Sequence, residues 1–325
     1  MNRLLPVAGA GLALVLPPLL PERHLATYVL LGLAAIVTAG VSLLMGYAGQ
    51  VSLGQAAFYA IGGYAAGLLT VHGAPVLAGL VAAPLAAAGA AALLGAPLLR
   101  LRGHHLAFAT LALQLILLSL LGRGDWAGGA IGLQNVPQLP VGGDLGYAYL
   151  VWAVLAVVLL VSRNVVASRA GRGLRAAGTS EIAAAAGGVP IARYRLAVFV
   201  LSAGFAGLAG GIYAFYLGYL APGSFPVLLS VEFVVMAVVG GLGTIAGPVV
   251  GAAVIVLLVQ ALNTLGTQPG MPGYAPTVLS YAVYALLLMA TVLFLPRGIV
   301  PALTRIPRPA GLASRGRPPH HREGN

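Results

Sequence analysis

The stretch LATYVLLGLAAIVTAGVSLLM at Leu25–Met45 decides the fold class of this chain. Its 21 residues include no charged side chain, and about 20 predominantly apolar residues suffice for a helix to cross the hydrocarbon core of a bilayer. Apolar runs of similar length recur along almost the whole sequence. The stretch is therefore predicted to be one of several membrane-spanning helices.

Composition extends this prediction to the whole chain. Of 325 residues, 60% are hydrophobic and 7% are charged, and the mean hydropathy is +0.98, whereas a soluble domain carries about 25% charged residues. The chain is predicted to be an all-α integral membrane protein, a polytopic helical bundle of about ten transmembrane segments. The predicted segments are Leu4–Leu20, Leu25–Met45, Val51–Val71, Val76–Leu99, Leu106–Leu121, Tyr147–Val161, Leu196–Leu217, Leu228–Val239, Pro248–Leu262 and Thr277–Leu295. Several are short enough to be broken or re-entrant, and 228–262 either crosses twice or folds back.

Arginine placement predicts the orientation, because loops rich in basic residues remain in the cytoplasm. Most arginines lie near residues 100–105, in the loop 163–195 and in the tail after Arg297. A bundle of ten segments puts these regions and both termini on the cytoplasmic side, with a retained first helix. Residues 1–304 then form the transmembrane domain, and 305–325 form a disordered, basic cytoplasmic tail.

Missing residue types exclude several classes of function. The chain contains no Lys, which a standard Walker A loop requires, and no Cys, which excludes disulfides, thiolate metal sites and thiol catalysis. Its arginines lie in loops and the tail rather than on a soluble basic face, which argues against nucleic-acid binding. We expect no metal site, no cofactor and no enzymatic activity, because no metal cluster or nucleophile–base pair occurs in the predicted segments.

A glycine-rich stretch, GYAGQVSLGQAAFYAIGGYAAGLL at Gly46–Leu69, holds the first candidate site residues. Small residues at helical spacing allow close approach of helix backbones in lipid, and the uncharged hydrogen-bonding side chains at its start suit a path for a polar solute. The alternative is that these side chains join helices or cap the helix start. The candidates for the translocation path or helix packing are Gly49, Gln50, Ser52, Gly54 and Gln55.

A second glycine-rich stretch, GGLGTIAGPVVG at Gly240–Gly251, interrupts a later apolar region. Transporters often carry broken helices at corresponding positions of two halves, and whether the two stretches form such a pair stays open. Its candidate residues are Gly240, Gly241 and Gly243. Glu232 is the one carboxylate within a predicted membrane segment, and it either faces interfacial water, serves gating or packing, or contacts substrate.

The loop 163–195 is too polar to cross a bilayer and too long to be a plain turn. A short amphipathic helix is predicted within it, ending at Gly187–Gly188 and Pro190. Such a helix docks a motor subunit, or else the loop is solvated and its arginines only set the topology. The apolar residues of the predicted helix are Leu174, Ala177, Ile182, Ala185 and Ala186.

In combination, the sequence resembles the branched-chain amino-acid ABC permeases of the LivM type, from about Leu25 to Gly298. Both glycine-rich stretches contribute to this resemblance. The other matching stretches are LRLRGHHLAFATLAL at Leu99–Leu113, GRGLRAAGTSEIAAAAGGVPIARYRLAVFVLSAGFAGLAGGIYAFYLGYLAP at Gly171–Pro222, SVEFVVMAVVGGLGTIAGPVVGA at Ser230–Ala252 and LFLPRGI at Leu293–Ile299.

The resemblance implies the permease subunit of a bacterial inner-membrane importer for branched-chain amino acids, working by alternating access in membrane lipid. The implied partners are two cytoplasmic ATP-binding subunits, a second related permease and an extracytoplasmic substrate-binding protein. Gly171–Gly188 would be the coupling segment. The residues that match the family's pattern there are Arg172, Arg175, Glu181 and Gly188.

This sequence departs from the family's pattern at several places. Gly178 and Thr179 stand where a charged pair is usual, Ala185 replaces a second acidic residue, and a Glu is usual near Gln114. Ala127-Gly128-Gly129 stands for Thr-Gly-Gly. The subunit class survives these changes, but urea, short amides or other amino acids stay open as substrates. An ion-coupled secondary transporter would need buried acids, and Glu232 is the only candidate.

Overall fold

The computed structural model describes residues 17–19, 21–99, 101, 103–266 and 298–304, with four isolated residues between 282 and 289. In these ranges every regular element is helical, apart from a single bridge between Leu133 and Leu220. Short 3-10 turns lie at Pro17–Leu19, Asp125–Ala127 and Pro222–Ser224. The α-helices are α1 (Glu22–Gly46), α2 (Gln55–Val71), α3 (Val76–Leu98), α4 (His104–Arg123), α5 (Gly143–Ala167), α6 (Arg169–Thr179), α7 (Glu181–Ala186), α8 (Ile191–Leu217), α9 (Val227–Gly240), α10 (Gly247–Gly266) and α11 (Ile299–Thr304).

Seven of the described helices are long and apolar enough to cross a membrane by length and composition: α1, α3, α4, α5, α8, α9 with its preceding turn, and α10. α2 has 17 residues, fewer than any of these seven spans, and lies at the centre of the bundle. The all-helical membrane fold is therefore confirmed for the described residues. The segments predicted at Leu4–Leu20 and Thr277–Leu295 lie outside them, apart from the turn at Pro17–Leu19 and isolated residues, as does the tail 305–325. The count of ten stays a prediction.

Contacts between loops divide the helix ends into two groups. At one end, the Tyr47 hydroxyl donates to the Gly243 carbonyl at 2.6 Å, and Arg195 Nε donates to the Ala48 carbonyl at 3.3 Å. At the other end, Leu133 and Leu220 exchange backbone hydrogen bonds of 2.7 and 2.9 Å. The loop 163–195 lies at the first end, which we call the arginine end; the other is the opposite end.

The core of the bundle is the crossing of α2 with α8, and it depends on glycine. A Cβ added to Gly62 would lie 2.2 Å from the Gly207 carbonyl oxygen, and one added to Gly210 would lie 1.9 Å from the Tyr59 carbonyl oxygen. α3 packs against the same helix through alanines, since a Cβ on Gly207 would meet the Ala87 methyl at 2.4 Å. Small residues thus give the close backbone approach that the sequence predicted.

Two helices extend further into the loop 163–195 than their apolar runs predict. α5 covers Gly143–Ala167 rather than Tyr147–Val161, and α8 begins at Ile191 rather than Leu196. Backbone hydrogen bonding continues where the helix leaves the apolar zone, whereas a prediction from hydrophobicity ends there. As a consequence, Arg195 is a helical residue with a defined direction rather than a loop residue.

Candidate functional site

The start of α2 lies inside the bundle. An irregular segment, 47–54, leads to it from the end of α1 at the arginine end. Gln55, the first residue of α2, donates from Nε2 to the Ser202 hydroxyl at 3.1 Å. Because Ser202 lies near the middle of the 27-residue α8, α2 begins near mid-depth of that spanning helix.

The start of α9 lies at a similar depth, but the chain reaches it from the opposite end. Residues 218–226 return from the end of α8, and Gln114 Nε2 donates to the carbonyls of Phe225 and Pro226 at 3.3 and 3.2 Å. Gln114 lies near the middle of the 20-residue α4. α2 and α9 therefore both begin inside the bundle, and the chain enters them from opposite ends. Interrupted helices of this kind flank the substrate site in many transporters.

A buried hydrogen-bonded chain joins the two interrupted helices. The Ser230 hydroxyl donates to Gln114 Oε1 at 2.7 Å and accepts from the Ala56 backbone N–H at 2.9 Å. The Thr110 hydroxyl accepts from the Leu53 N–H at 3.0 Å. Breaking such a buried bond costs about 1–3 kcal/mol when a partner is left unsatisfied. We call Gln55, Thr110, Gln114, Ser202 and Ser230 the central polar junction; all five are fully buried.

Two acceptor atoms at the start of α2 carry no hydrogen bond among the described residues. They are the Oε1 atoms of Gln50 and Gln55, and both are buried. Buried polar atoms are normally paired, so these oxygens are available to a donor group that reaches the junction. A role of Gln50 and Gln55 in the translocation path stays a prediction.

A cavity of about 300 Å³ opens between α1, α2, α8, α9 and α10, and Glu232 lies on its wall. Tyr59 lines the cavity, and its ring centroid lies 5.4 Å from that of Tyr213 and 6.1 Å from that of Phe233. The volume falls in the lower part of the range of about 300–1,000 Å³ that small-molecule sites occupy. The remaining lining residues are Thr27, Leu30, Ala34, Ser224, Leu229, Met236, Ile255, Val256, Val259, Gln260 and Asn263.

The cavity combines one carboxylate with aromatic and aliphatic walls. Glu232 is half-buried, and an aromatic face attracts a cation that approaches it. Such a lining suits a small solute that carries both a positively charged group and an apolar part. Glu232 lies on the cavity wall, and its role stays a prediction.

The other residues of the first glycine-rich stretch shape the backbone. Gly49 has φ +64°, a left-handed conformation that glycine adopts without strain. Ser52 Oγ accepts from the Gly54 N–H at 3.4 Å, and a Cβ added to Gly54 would lie 2.7 Å from the Thr110 carbonyl oxygen. Gly49 therefore turns the chain, and Gly54 packs it against α4.

The second glycine-rich stretch forms the turn between α9 and α10 at the arginine end. A Cβ on Gly240 would lie 1.9 Å from the Gly247 carbonyl oxygen, and Gly241 and Gly243 have φ +114° and +73°. The counterpart of the interruption before α2 is the segment 218–226, not this turn. The two stretches resemble each other because tight turns and helix interruptions both require glycine.

The loop 163–195 contains two short helices rather than the one predicted. The Ser168 hydroxyl caps α6 by accepting from the Gly171 N–H, and the Ser180 hydroxyl caps α7 by accepting from the Ala183 N–H, both at 3.3 Å. A serine cap starts a new helix at Ser180. The predicted apolar face therefore divides: Leu174 and Ala177 are buried, whereas Ile182, Ala185 and Ala186 are exposed.

The predicted coupling residues fall into two sets. Arg172 Nη1 and Arg175 Nη2 donate to the Ala167 and Val166 carbonyls at 2.7 and 3.2 Å, so they cap the end of α5. Glu181 forms an ion pair with Arg195, a residue that the sequence marked only as a topology signal. Gly188 has φ +77° in the turn before α8.

Tyr47 connects this region to the turn between α9 and α10. Burial raises the pKa of the Tyr47 phenol, and the nearby Arg175 guanidinium opposes that rise. The hydroxyl is therefore protonated at neutral pH, as its donation to the Gly243 carbonyl requires. The sequence contained no signal for this contact, whereas Gln114, an amide within an apolar helix, could have been singled out as an interhelical hydrogen-bonding group.

Comparison with known proteins gives concordant matches. The family model for the permease component of the branched-chain amino acid transport system matches residues 23–292. The high-affinity branched-chain amino acid transport system permease protein LivM of Escherichia coli strain K12 is 31% identical, over 71% of this chain and 60% of that protein. LivM of Salmonella typhimurium is 30% identical with the same coverage. The chain thus spans 60% of the length of these curated relatives. No solved structure matches the chain.

Proposed function

The chain belongs to the family of branched-chain amino acid transport permeases, and we propose that it is the transmembrane permease subunit of an ABC importer for these amino acids. The family match along residues 23–292 carries the proposal. The interrupted helices α2 and α9 and the cavity beside them agree with a transport function. Both relatives named above are transport permeases and not enzymes.

We propose ten transmembrane segments in the bacterial inner membrane, with both termini in the cytoplasm. Residues 1–304 form the permease domain, and 305–325 form a basic cytoplasmic tail. The arginine end is cytoplasmic because basic loops are retained there. The loop contacts that group the helix ends support spanning helices that run in alternating directions along the described residues.

The translocation path runs along the cavity and the central polar junction. A branched-chain amino acid is a zwitterion with an aliphatic side chain. Glu232 and the aromatic rings of Tyr59 and Tyr213 suit its ammonium group, while the aliphatic wall suits its side chain. The N-terminal ends of α2 and α9 carry partial positive charge, which favours a carboxylate near the junction.

ATP hydrolysis takes place on two separate cytoplasmic subunits that dock on α6 and α7. Ile182 is 85% exposed at the arginine end, and an apolar side chain that projects from a polar surface suits the pocket of a partner protein. A second related permease completes the membrane pathway, and an extracytoplasmic binding protein delivers the substrate to the opposite end.

Urea, a short amide or another amino acid is the second candidate substrate in the same permease class. The side-chain amides of Gln260 and Asn263 on the cavity wall favour this alternative, because they offer both donors and acceptors to a neutral amide. Urea and short amides differ from amino acids in their need for the Glu232 carboxylate, which the ammonium group of an amino acid uses and a neutral amide does not.

Co-purification tests the proposal. The tagged protein is isolated from native membranes in mild detergent, and the bound proteins are identified by mass spectrometry. We expect two ATP-binding subunits and a second permease. A homo-oligomer that is reproducibly free of ATPase would contradict the proposal and favour an ion-coupled transporter.

A further inference from the structure

Arg195 contacts two parts of the chain that the sequence does not connect. Its guanidinium forms an ion pair with the carboxylate of Glu181, the first residue of α7. Its Nε also donates to the Ala48 carbonyl at 3.3 Å. Arg195 belongs to α8, one of the two central helices of the bundle. Its side chain therefore joins the docking helix α7 and the spanning helix α8 to the residues that follow α1.

Ala48 is the point from which the chain enters the bundle. It is buried and lies two residues after the end of α1. Gly49 changes the chain direction with its φ of +64°, and the segment then carries Gln50 and Gln55 toward the central polar junction. A displacement of the Ala48 carbonyl therefore shifts the start of the segment that ends at α2.

A second contact fixes the same point from the other side. The Tyr47 hydroxyl donates to the Gly243 carbonyl at 2.6 Å. A Cβ added to Gly46 would lie 2.3 Å from the Gly243 nitrogen, so the two backbones touch. Residues 46–48 are thus held between the turn that links α9 to α10 and the pair formed by Arg195 and Glu181.

The ion pair is placed to set geometry more than to stabilise the fold. The side chains of Arg195 and Glu181 are 28% and 40% exposed, and partly solvated pairs add little to folding stability. A pair of this kind can change its geometry when α7 meets a partner, without unfolding the surrounding helices.

We propose that Arg195 is a positioning residue that transmits movement of α7 to Ala48 and so to the start of α2. When an ATPase subunit displaces α7, the guanidinium follows the Glu181 carboxylate and alters its contact with the Ala48 carbonyl. The approach of α2 to the central polar junction then changes. This inference rests on the proposed function, because it takes α7 as part of the ATPase docking site.

The test uses the full importer in lipid nanodiscs and liposomes, with both ATPase subunits, the second permease and the binding protein. ATPase activity is measured with and without the substrate-loaded binding protein, and substrate uptake is measured in parallel. We expect Glu181→Gln and Arg195→Gln to lower the ratio of stimulated to basal ATPase, and uptake, about tenfold, within the roughly 5–150-fold range of allosteric couplings. Arg193→Gln, which removes an exposed arginine from the same helix, is the control and is expected to match the wild type.

The conservative variant Arg195→Lys separates positioning from simple folding. It retains a cation for Glu181 but lacks the Nε–H that donates to the Ala48 carbonyl, so we expect the complex to assemble while the stimulation ratio stays reduced. A wild-type stimulation ratio in either Glu181→Gln or Arg195→Gln would overturn the inference. Loss of complex assembly in Glu181→Gln, Arg195→Gln and Arg195→Lys would also overturn it. The proposed function fails separately, if the wild-type complex itself shows no ATP-dependent uptake.

Discussion

Single glycines set the distance between the two central helices of the bundle. Gly62 of α2 faces Gly207 of α8, and Gly210 faces the Tyr59 carbonyl, each at a separation that excludes a methyl group. By contrast, a Cβ added to Gly89 of α3 meets no atom within 4 Å. Gly62, which is buried, and Gly89, which is exposed, are therefore expected to differ in their tolerance to alanine.

We predict that Gly62→Ala destabilises the protein, whereas Gly89→Ala leaves it unchanged or slightly more stable. The added methyl in Gly62→Ala overlaps the Gly207 backbone and forces α2 away from α8, an overpacking that costs about 1–3 kcal/mol. Gly89→Ala adds only the helix propensity of alanine, about 1 kcal/mol. Thermal unfolding of the purified permease in detergent measures both, and equal melting temperatures for the two variants would contradict the packing account.

Glu232 is the cavity residue that we expect to contact the substrate. Glu232→Gln keeps the shape of the side chain but removes its charge, and a charge-assisted hydrogen bond is worth about 1.5–3 kcal/mol. We therefore predict at least about a tenfold loss of leucine uptake, with normal assembly. Asp144→Asn, which removes a carboxylate at the opposite end, is the control in the same uptake assay. Full leucine uptake by Glu232→Gln would contradict the proposed contact between the Glu232 carboxylate and the substrate.

At the scale of helices, apolar runs predicted α1 and α3 closely, but not the start of α2. The predicted and observed starts are Val51 and Gln55. Val51 and Leu53 extend the apolar run, yet the Leu53 and Ala56 N–H groups bond to side chains of α4 and α9 instead of to local carbonyls. These partners lie far away in sequence, so no local pattern could have revealed them.

The candidate site was predictable in the same partial way. Gln50, Gln55 and Glu232 stood out as polar side chains in apolar segments. Their partners did not, because serines such as Ser202 and Ser230 are common in membrane helices, where most pack without a special role. Arg195 was visible only as a positive charge in a basic loop.

Helix α7 presents its most exposed apolar residue, Ile182, at the arginine end. We predict that Ile182→Glu reduces the recovery of ATPase subunits in co-purification about tenfold or more, because a buried isoleucine contributes about 1.5–3 kcal/mol to an interface. Ala192→Glu, which places the same charge at an exposed position of α8 outside the proposed docking helices, is the control. Undiminished recovery with Ile182→Glu would remove α7 from the proposed interface.

The whole molecule has two ends that differ in charge, and this asymmetry predicts its orientation. The chain has no native cysteine, so single introduced cysteines report accessibility cleanly. We predict that a membrane-impermeant maleimide labels Ile131→Cys at the opposite end in cells with a permeabilised outer membrane. Ile182→Cys should react only after the inner membrane is opened. The reverse pattern would invert the proposed topology.

Uptake by the reconstituted importer tests the central claim most directly. The permease, its second permease, two ATPase subunits and the binding protein are placed in proteoliposomes, and accumulation of labelled leucine is followed with and without ATP. We predict accumulation that requires ATP and stops when the Walker A lysine of the ATPase subunits is replaced. Accumulation that is independent of ATP and follows an imposed ion gradient would contradict the account.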